Sequence, residues 1–174
     1  MKALIFDCDG VLVDTERDGH RVAFNRAFAD LGIDAEWDVE LYGKLLKIAG
    51  GKERLRAYVE TVGWPAGRDP DELIPKLHKQ KTAIFTELIA SGRLPLRSGV
   101  ARLVDEAAAA GVRLAVCTTS AAESVAGVLD LLGPERKARF EHVLAGDIVK
   151  RKKPDPEIYL LARDRLGLGP RIAW

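Results

Sequence analysis

The sequence has little of three things that would each point to a particular class of protein: cysteine, net charge and long apolar runs. Its two cysteines, Cys8 and Cys117, both fall in predicted strands and are too few for a disulfide framework. A formal net charge of +1 gives no general attraction to nucleic acid or to an anionic membrane surface. No apolar run approaches the roughly 20 residues that a membrane-spanning helix needs. We therefore expect neither nucleic-acid nor membrane partners.

What remains is the composition of a globular protein. Of the 174 residues, 47% are hydrophobic and 30% charged, which suits one domain or one domain with an insert. Because Met1-Lys2-Ala3 leads directly into an apolar run that predicts a core strand, we expect no signal peptide. We expect a cytoplasmic protein, and a monomer.

The most informative stretch is LIFDCDGVLVD, residues 4–14. Its apolar start predicts a strand buried on both faces. Asp7 and Asp9 follow and, because side chains alternate along an extended chain, they point the same way. Gly10 then permits a sharp turn. Two carboxylates at the carboxyl end of a buried strand lie where open α/β sheets bind their ligands.

This pair of acids suits a metal and phosphoryl transfer. Two carboxylates so close would repel each other unless one of them kept its proton or a cation lay between them. Mg²⁺ suits an all-oxygen site and keeps waters and substrate phosphate oxygens as further ligands. One Asp can then form an acyl-phosphate, while the other protonates the leaving oxygen and later activates water. The alternative is that the pair caps a helix or a turn.

Residues 15–95 have helical periodicity and lie between two predicted strands. The predicted helices include 15–31, with an apolar stripe from His20 to Leu31, as well as 38–48 and 71–91. An insert of this length exceeds a simple crossover. We predict a helical cap domain over 15–95 that excludes water from the Asp7 site, and a catalytic core formed by 1–14 and 96–174.

The insert holds two groups of candidate substrate contacts before its predicted long helix. Glu16 could accept substrate hydroxyls, or it could be a first-turn acid favoured by the helix dipole. Two glycines before a helical run offer free backbone N–H groups to an anion. The basic residues that follow add charge, and Arg can bind phosphate with two bonds. The alternative is an ordinary glycine-rich junction with solvated charges. The run consists of Gly50, Gly51, Lys52, Glu53 and Arg54.

A third group lies on the predicted long helix. His78 and Lys81 are three residues apart and share a helix face. Together they could hold a second phosphate. The alternative is that the basic run KLHKQK is a solvated face.

The second half of the chain alternates helix and strand, as α/β proteins do. We predict a doubly wound parallel sheet. Thr118, Thr119 and Ser120 follow the second strand and could either cap the next helix or bind phosphate. The predicted elements are a helix over 99–110, a strand over 112–117, a helix over 124–132 and a strand over 140–145.

A run of four basic residues, from Lys150 to Lys153, precedes Pro154. Such a run could be a nucleic-acid or targeting patch. The near-neutral chain argues against that interpretation. Pro154 can begin the next helix and so fix the direction of the lysine before it.

These motifs together resemble those of the haloacid dehalogenase-like hydrolase superfamily, whose members are mostly Mg²⁺-dependent phosphatases with a Rossmann-like core. The resemblance implies that Asp7 is the nucleophile and Asp9 the general acid and base, with Mg²⁺ held by the Asp7 carboxylate and the Asp9 carbonyl. It also implies that Thr118 binds phosphate. Lys153, with Lys152 as the second candidate, would neutralise the acyl-phosphate.

Five runs narrow the resemblance to the CbbY-like branch, near the β-phosphoglucomutases: TERDGHRVAFNRAF, GGKER, LHKQK, CTTSAAES and KRKKPDPEIYLLA. This branch implies a sugar phosphate or bisphosphate substrate, such as xylulose-1,5-bisphosphate. The implied substrate contacts are Glu16, Gly50, Gly51, Lys52, Glu53, Arg54, His78, Lys81, Thr119 and Ser120.

The superfamily's fourth motif, an apolar strand that ends in an acid pair, is missing. Residues 171–174 begin what could be that strand, and we expect an incomplete core with weakened metal binding and activity. Three alternatives stay open. They are a phosphomutase on the same scaffold, a fragment that binds phosphate without turnover, and a signalling receiver domain with its own phospho-accepting Asp. The helical insert and the D-x-D-G turn speak against a receiver.

Overall fold

The computed structural model describes residues 1–63 and 67–169, and the chain divides into two compact units. One unit consists of Met1–Asp14 and the described residues from Pro95 onward. The other is Thr15–Leu94. Pro95, which the sequence assigned to the insert, lies in the first unit.

A parallel sheet forms the centre of the first unit. In the described residues it has three strands in the order β1-β2-β3, where β1 is Ala3–Phe6, β2 is Arg113–Cys117 and β3 is Phe140–Leu144. Both outer strands pair in parallel with β2. From Leu114 onward β2 is fully buried, as its apolar sequence requires of a central parallel strand.

Strand β1 is less buried than its sequence predicts. Leu4 and Ile5 keep intermediate exposure, and within the strand only Phe6 is buried. The reason is its position, because in the described part of the chain β1 pairs on one side only. The fourth strand predicted to begin within 171–174 lies outside the described residues. The expectation of burial on both faces is therefore met by β2 and not by β1.

Helices flank this sheet, so the predicted α/β fold is confirmed. They are α5 (Val100–Ala109), α6 (Ala122–Asp130), α7 (Pro134–Lys137) and α8 (Glu157–Arg165). Helix α5 packs on β2, and α8 packs on β2 and β3. Cys117 and Leu144 from the strands and Ile158 and Ala162 from α8 share one apolar cluster. The sequence did not predict α7, and α6 begins at Ala122 rather than at Ser124.

The loop after β1 is held by its own backbone bonds. The Gly10 N–H donates to the Val13 carbonyl at 2.8 Å, and the Leu12 N–H donates to the Cys8 carbonyl at 2.9 Å. Gly10 has a φ of 72°, a conformation that costs glycine little, as the turn prediction required. Leu12 and Val13 are fully buried, which anchors the loop. This anchoring fixes the two aspartates at the end of β1.

The second unit is helical. A π-helical turn over Glu16–His20 continues into α1 (Arg21–Asp30), and α2 (Val39–Leu45), α3 (Gly51–Val62) and α4 (Pro70–Ala90) follow. Its core is aromatic: the Trp37 ring centroid lies 4.6 Å from that of Phe24 and 5.1 Å from that of Phe28. Large rings supply much of the buried apolar area in a unit this small. No helix in the described residues is both long and apolar enough to cross a membrane.

The first helix differs from the single helix predicted over 15–31. The His20 N–H donates to the Thr15 carbonyl at 2.7 Å, a bond that spans five residues and widens the first turn. Gly19 lies in this turn against Phe85 and Leu94, where a Cβ would come within 3.0 Å and 2.8 Å of their side chains. Any larger residue at this position would force these two side chains to move.

Candidate active site

Asp7 follows β1 directly and meets a lysine from the loop between β3 and α8. The Lys153 Nζ lies 2.7 Å from Asp7 Oδ2 and donates to the Cys117 carbonyl at 3.3 Å. The Cys8 N–H donates to Asp7 Oδ1 at 2.8 Å. The Lys153 side chain is 18% exposed and that of Asp7 38% exposed. The carboxylate is therefore oriented through both oxygens and still accessible to a ligand.

The run of basic residues does not form a single patch. Lys152 pairs with Asp147 at 2.9 Å, and Arg151 pairs with Glu157 at 3.2 Å. Lys153, the next residue, pairs with the carboxylate that follows β1. The geometry therefore distinguishes the two candidate lysines and favours Lys153. Local carboxylates thus pair with Arg151 and Lys152, which argues further against a nucleic-acid patch.

Glu157 anchors the loop that carries Lys153. Its carboxylate accepts the backbone N–H groups of Lys150 at 3.1 Å and of Arg151 at 3.0 Å. These two bonds, in that order, lower the pKa of Glu157 below its ordinary value. Helix α8 begins at Glu157 and not at Pro154, so the prediction that this proline begins the helix is wrong. One carboxylate at the helix start holds the loop instead.

The hydroxyl residues after β2 meet the second aspartate. The Ser120 hydroxyl donates to Asp9 Oδ2, and the Ser120 N–H donates to Thr118 Oγ1 at 3.1 Å. Thr118 is buried, and Thr119 keeps intermediate exposure. The N-cap of α6 is Ala121, without a side-chain cap. The hydroxyl residues therefore do not serve as the N-cap, which was the alternative left open by the sequence.

The oxygen ligands at this edge fit Mg²⁺. Asp7 can contribute a carboxylate, and Asp9 a backbone carbonyl from the same short loop. Within the described residues, no group of three or more His, Cys, Asp or Glu side chains could hold a metal. Mg²⁺ is commonly bound through one or two carboxylates, with waters and substrate phosphate completing its shell. One carboxylate and one carbonyl therefore suit Mg²⁺ better than they suit a metal that needs a cage of protein side chains.

Cys117, at the end of β2, is a packing residue. Its thiol lies 3.7 Å from the Ile158 carbonyl in the apolar cluster under α8. Burial raises the pKa of this thiol to about 11, with a smaller opposing effect from the Lys153 cation. The thiol stays protonated at neutral pH. Among the side chains at the carboxyl ends of β1 and β2, the carboxylates are therefore the better candidate nucleophiles.

In the helical unit, the glycine pair and His78 lie together. Helix α3 begins at Gly51, and Gly50 before it has a φ of 92°. The His78 ring lies against Gly51, where a Cβ would come within 2.9 Å of ring atoms. Lys52 and Glu53 complete the first turn of α3, whose backbone N–H groups suit an anion. The structure thus brings two of the predicted substrate contacts side by side.

Lys81 is buried inside the helical unit. It is 6% exposed, and its Nζ lies 2.8 Å from His20 Nδ1. The ammonium also lies 5.0 Å from the centroid of Phe24 and 5.1 Å from that of Phe85. The interpretation of Lys81 as part of a solvated basic face is therefore wrong. His20, which the sequence assigned to an apolar stripe, is the polar neighbour that orients this lysine.

Arg54 is also buried, at 8% exposure, and three of its N–H groups are already engaged. It donates to the carbonyls of Leu45 at 3.1 Å and Ile48 at 3.2 Å, and to the Tyr42 hydroxyl at 3.0 Å. Guanidinium has five N–H donors, so the predicted phosphate contact has only the remaining two to use. The Tyr42 hydroxyl in turn donates to Glu16 Oε2 at 2.7 Å. Tyr42 was missed from the sequence, where nothing marks it as more than a helix residue.

Comparison with known proteins identifies the family to which this fold and site belong. The chain belongs to the haloacid dehalogenase-like hydrolase family, which it matches over residues 1–174. The receiver-domain alternative is therefore wrong. A CBBY-like protein of Arabidopsis thaliana is 54% identical over an alignment of 174 residues that covers 97% of this chain and 54% of that protein. Protein CbbY of Cupriavidus necator is 44% identical over 171 residues, covering 97% of this chain and 67% of that protein.

A solved structure agrees with this assignment. CbbY from Rhodobacter sphaeroides, in complex with phosphate, superposes with a TM-score of 0.89 at 42% identity, over 98% of this chain and 74% of that one. A mutant of that protein, in complex with xylulose-(1,5)bisphosphate, matches equally well. The predicted CbbY-like branch is thus confirmed. The chain spans about half the length of the Arabidopsis relative, or 54% of it.

Proposed function

We propose that the protein is a Mg²⁺-dependent phosphatase that hydrolyses a sugar phosphate, in particular a bisphosphate of the xylulose-1,5-bisphosphate type. The observation that carries the proposal is the contact between Lys153 and the Asp7 carboxylate at the carboxyl end of β1. The family supports the hydrolytic chemistry. The complex of the Rhodobacter relative with xylulose-(1,5)bisphosphate supports the substrate class.

Asp7 is the proposed nucleophile. One of its carboxylate oxygens attacks phosphorus, the bond from phosphorus to the sugar oxygen breaks, and an acyl-phosphate forms on Asp7. The Cys8 N–H and the Lys153 ammonium hold the two carboxylate oxygens before the attack. During the attack the ammonium also offsets the negative charge gathered at the site, which is the usual use of a fixed cation.

Asp9 is the proposed general acid and base. It gives a proton to the leaving sugar oxygen, and it then takes a proton from the water that attacks the acyl-phosphate. The Ser120 hydroxyl bonds to this carboxylate and so limits its rotation. Thr118 and Thr119 are proposed to bind phosphate oxygens. The Asp7 carboxylate and the Asp9 carbonyl would hold Mg²⁺, which supplies charge stabilisation to the phosphoryl oxygens.

The helical unit is proposed to act as a cap that excludes water and recognises the rest of the substrate. A second phosphate suits the first turn of α3, at Gly50 and Gly51, where backbone N–H groups face an anion. His78 lies against this turn. Glu16 is proposed to accept sugar hydroxyls. Lys52, Glu53, Arg54 and Lys81 remain predicted contacts.

The test is phosphate release from a panel of sugar monophosphates and bisphosphates in the presence of Mg²⁺. The protein should release phosphate, with the bisphosphate preferred. Asp7→Asn should abolish release, because an amide cannot act as the phosphoryl acceptor. An Asn variant as active as the wild type would overturn the proposal. Conversion of substrate to an isomer without free phosphate would support the mutase, and binding without turnover the phosphate-binding fragment.

A further inference from the structure

A line of three polar side chains runs through the helical unit from Arg54 to Glu16. Arg54 donates to the Tyr42 hydroxyl at 3.0 Å, and that hydroxyl donates to Glu16 Oε2 at 2.7 Å. Arg54 and Tyr42 are buried, whereas Glu16 is only partly buried. The line therefore joins a buried cation to a carboxylate that a ligand can reach.

Arg54 is fixed at its end of the line by the backbone. Its two other bonds go to the carbonyls of Leu45, the last residue of α2, and of Ile48 just beyond it. Carbonyls at the end of a helix lack partners within that helix and are therefore good acceptors. A guanidinium that donates to two of them is held firmly. The group also lies over the Tyr42 ring, with Cζ 5.2 Å from the centroid. The bond from Arg54 to the Tyr42 hydroxyl thus has a fixed direction.

Tyr42 is fixed by the aromatic core. Its ring centroid lies 5.8 Å from that of Trp37 and 6.4 Å from that of Phe24. A ring packed on these sides cannot change rotamer without opening the core. Its hydroxyl is therefore a stationary donor. Glu16, which has three rotatable side-chain bonds of its own, gains its orientation from that donor.

We propose that Tyr42 and Arg54 are positioning residues, which hold the Glu16 carboxylate ready to accept the hydroxyls of a sugar substrate. The proposal rests on the proposed function, in which Glu16 contacts the sugar. A carboxylate fixed before binding avoids the entropy cost of ordering a flexible side chain during binding. Arg54 thereby acts on the substrate through Glu16, in addition to any direct contact with phosphate.

The variant Tyr42→Phe tests the proposal because it removes the hydroxyl and keeps the ring. KM for xylulose-1,5-bisphosphate should rise about three- to tenfold, the cost of ordering one side chain on binding, with a smaller fall in kcat. The control is Tyr58→Phe. Tyr58 also packs on Trp37, at 5.3 Å between centroids, and takes no part in the line. It should leave KM unchanged. Equal KM values in the wild type and Tyr42→Phe would overturn the proposal.

A double variant separates positioning from direct contact. If Tyr42 acts through Glu16, then Tyr42→Phe should add little to the effect of Glu16→Gln, because coupled residues give non-additive losses. Fully additive losses would mean that Tyr42 acts independently, and would contradict the proposal. Thermal midpoints of all variants exclude general unfolding as the cause.

Failure of this proposal and failure of the proposed function give different results. A protein that releases phosphate but is indifferent to Tyr42→Phe refutes the positioning role alone. A protein that releases none refutes the phosphatase. Calorimetry then decides the positioning role. The Kd of Tyr42→Phe for xylulose-1,5-bisphosphate should exceed that of the wild type by the same three- to tenfold factor as expected for KM. Absence of binding to the wild type overturns the positioning role.

Discussion

The Lys153 ammonium lies 2.7 Å from Asp7 Oδ2, although the two residues come from opposite ends of the chain. Its neighbour Lys152 pairs with Asp147 instead, at 2.9 Å. Two adjacent lysines thus have two different partners. Substitution of each lysine in turn therefore gives a matched pair of variants that tests the catalytic role of the Lys153 ammonium.

Lys153→Ala should lower kcat by about 10²- to 10³-fold, the typical effect of removing one group that stabilises charge in a transition state. Lys152→Ala should stay close to the wild-type kcat, because Lys152 pairs with Asp147 and not with Asp7. Steady-state phosphate release measures both. The assignment of Lys153 is wrong if the two variants lose activity equally.

Removal of divalent metal should abolish turnover. Asp7 and Asp9 offer the oxygen ligands that Mg²⁺ prefers, and the bound metal would offset the negative charge of the phosphoryl oxygens. Activity after treatment with a chelator and dialysis should return on titration with Mg²⁺. Ca²⁺ should restore it poorly, since this larger ion takes more ligands in a looser geometry. Full activity in the metal-free protein would contradict the proposed site.

Glu157 should make stability depend on pH. Its pKa is lowered in the folded protein by the N–H groups of Lys150 and Arg151. Its charge therefore stabilises the fold above the ordinary glutamate pKa of about 4.3, and this contribution is lost as pH falls through the lowered pKa. The wild type should exceed Glu157→Gln in thermal midpoint at neutral pH, and the difference should vanish in acid. A difference that stays constant across this range would argue against the loop anchor.

Two glycines at helical positions should respond oppositely to alanine. At Gly51 a Cβ would come within 2.9 Å of the His78 ring, whereas at Gly43 in α2 it would meet nothing within 4 Å. Gly51→Ala should destabilise by about 1–3 kcal/mol, as overpacking does, and should also weaken bisphosphate binding. Gly43→Ala should stabilise by about 0.5–1 kcal/mol, because alanine loses less backbone entropy. Urea unfolding measures both, and equal effects would show that His78 yields freely.

The parts of the fold that could be predicted are those in which the signal is local. Local signals predicted the strand from the apolar run of β2, the turn from Gly10, and the start of α3 from Gly50 and Gly51. The burial of β1 was overestimated because burial depends on how many neighbours a strand has, which its own residues do not show. The widened turn before α1 was missed, since five-residue hydrogen bonding leaves no clear pattern in the sequence.

A site residue was predictable where a motif specifies one position. It was less predictable where its role depends on which side chains it contacts in the folded protein. Asp7 and Asp9 follow from their place after a strand. The choice of Lys153 over Lys152 needed the loop geometry, because four basic residues in a row look alike in sequence. Tyr42 was invisible for a similar reason, because the bond that its hydroxyl makes to Glu16 depends on the packing of α2.

The central claim is that Asp7 carries the phosphoryl group, and chemical trapping tests it most directly. The protein is mixed with xylulose-1,5-bisphosphate and Mg²⁺ and quenched with borohydride, which reduces an aspartyl phosphate to homoserine. Peptide mass spectrometry then locates the reduced residue. The account predicts homoserine at Asp7 and none at Asp9, and no homoserine without substrate. Continued phosphate release with Asp7 unmodified, or reduction at another aspartate, would contradict it.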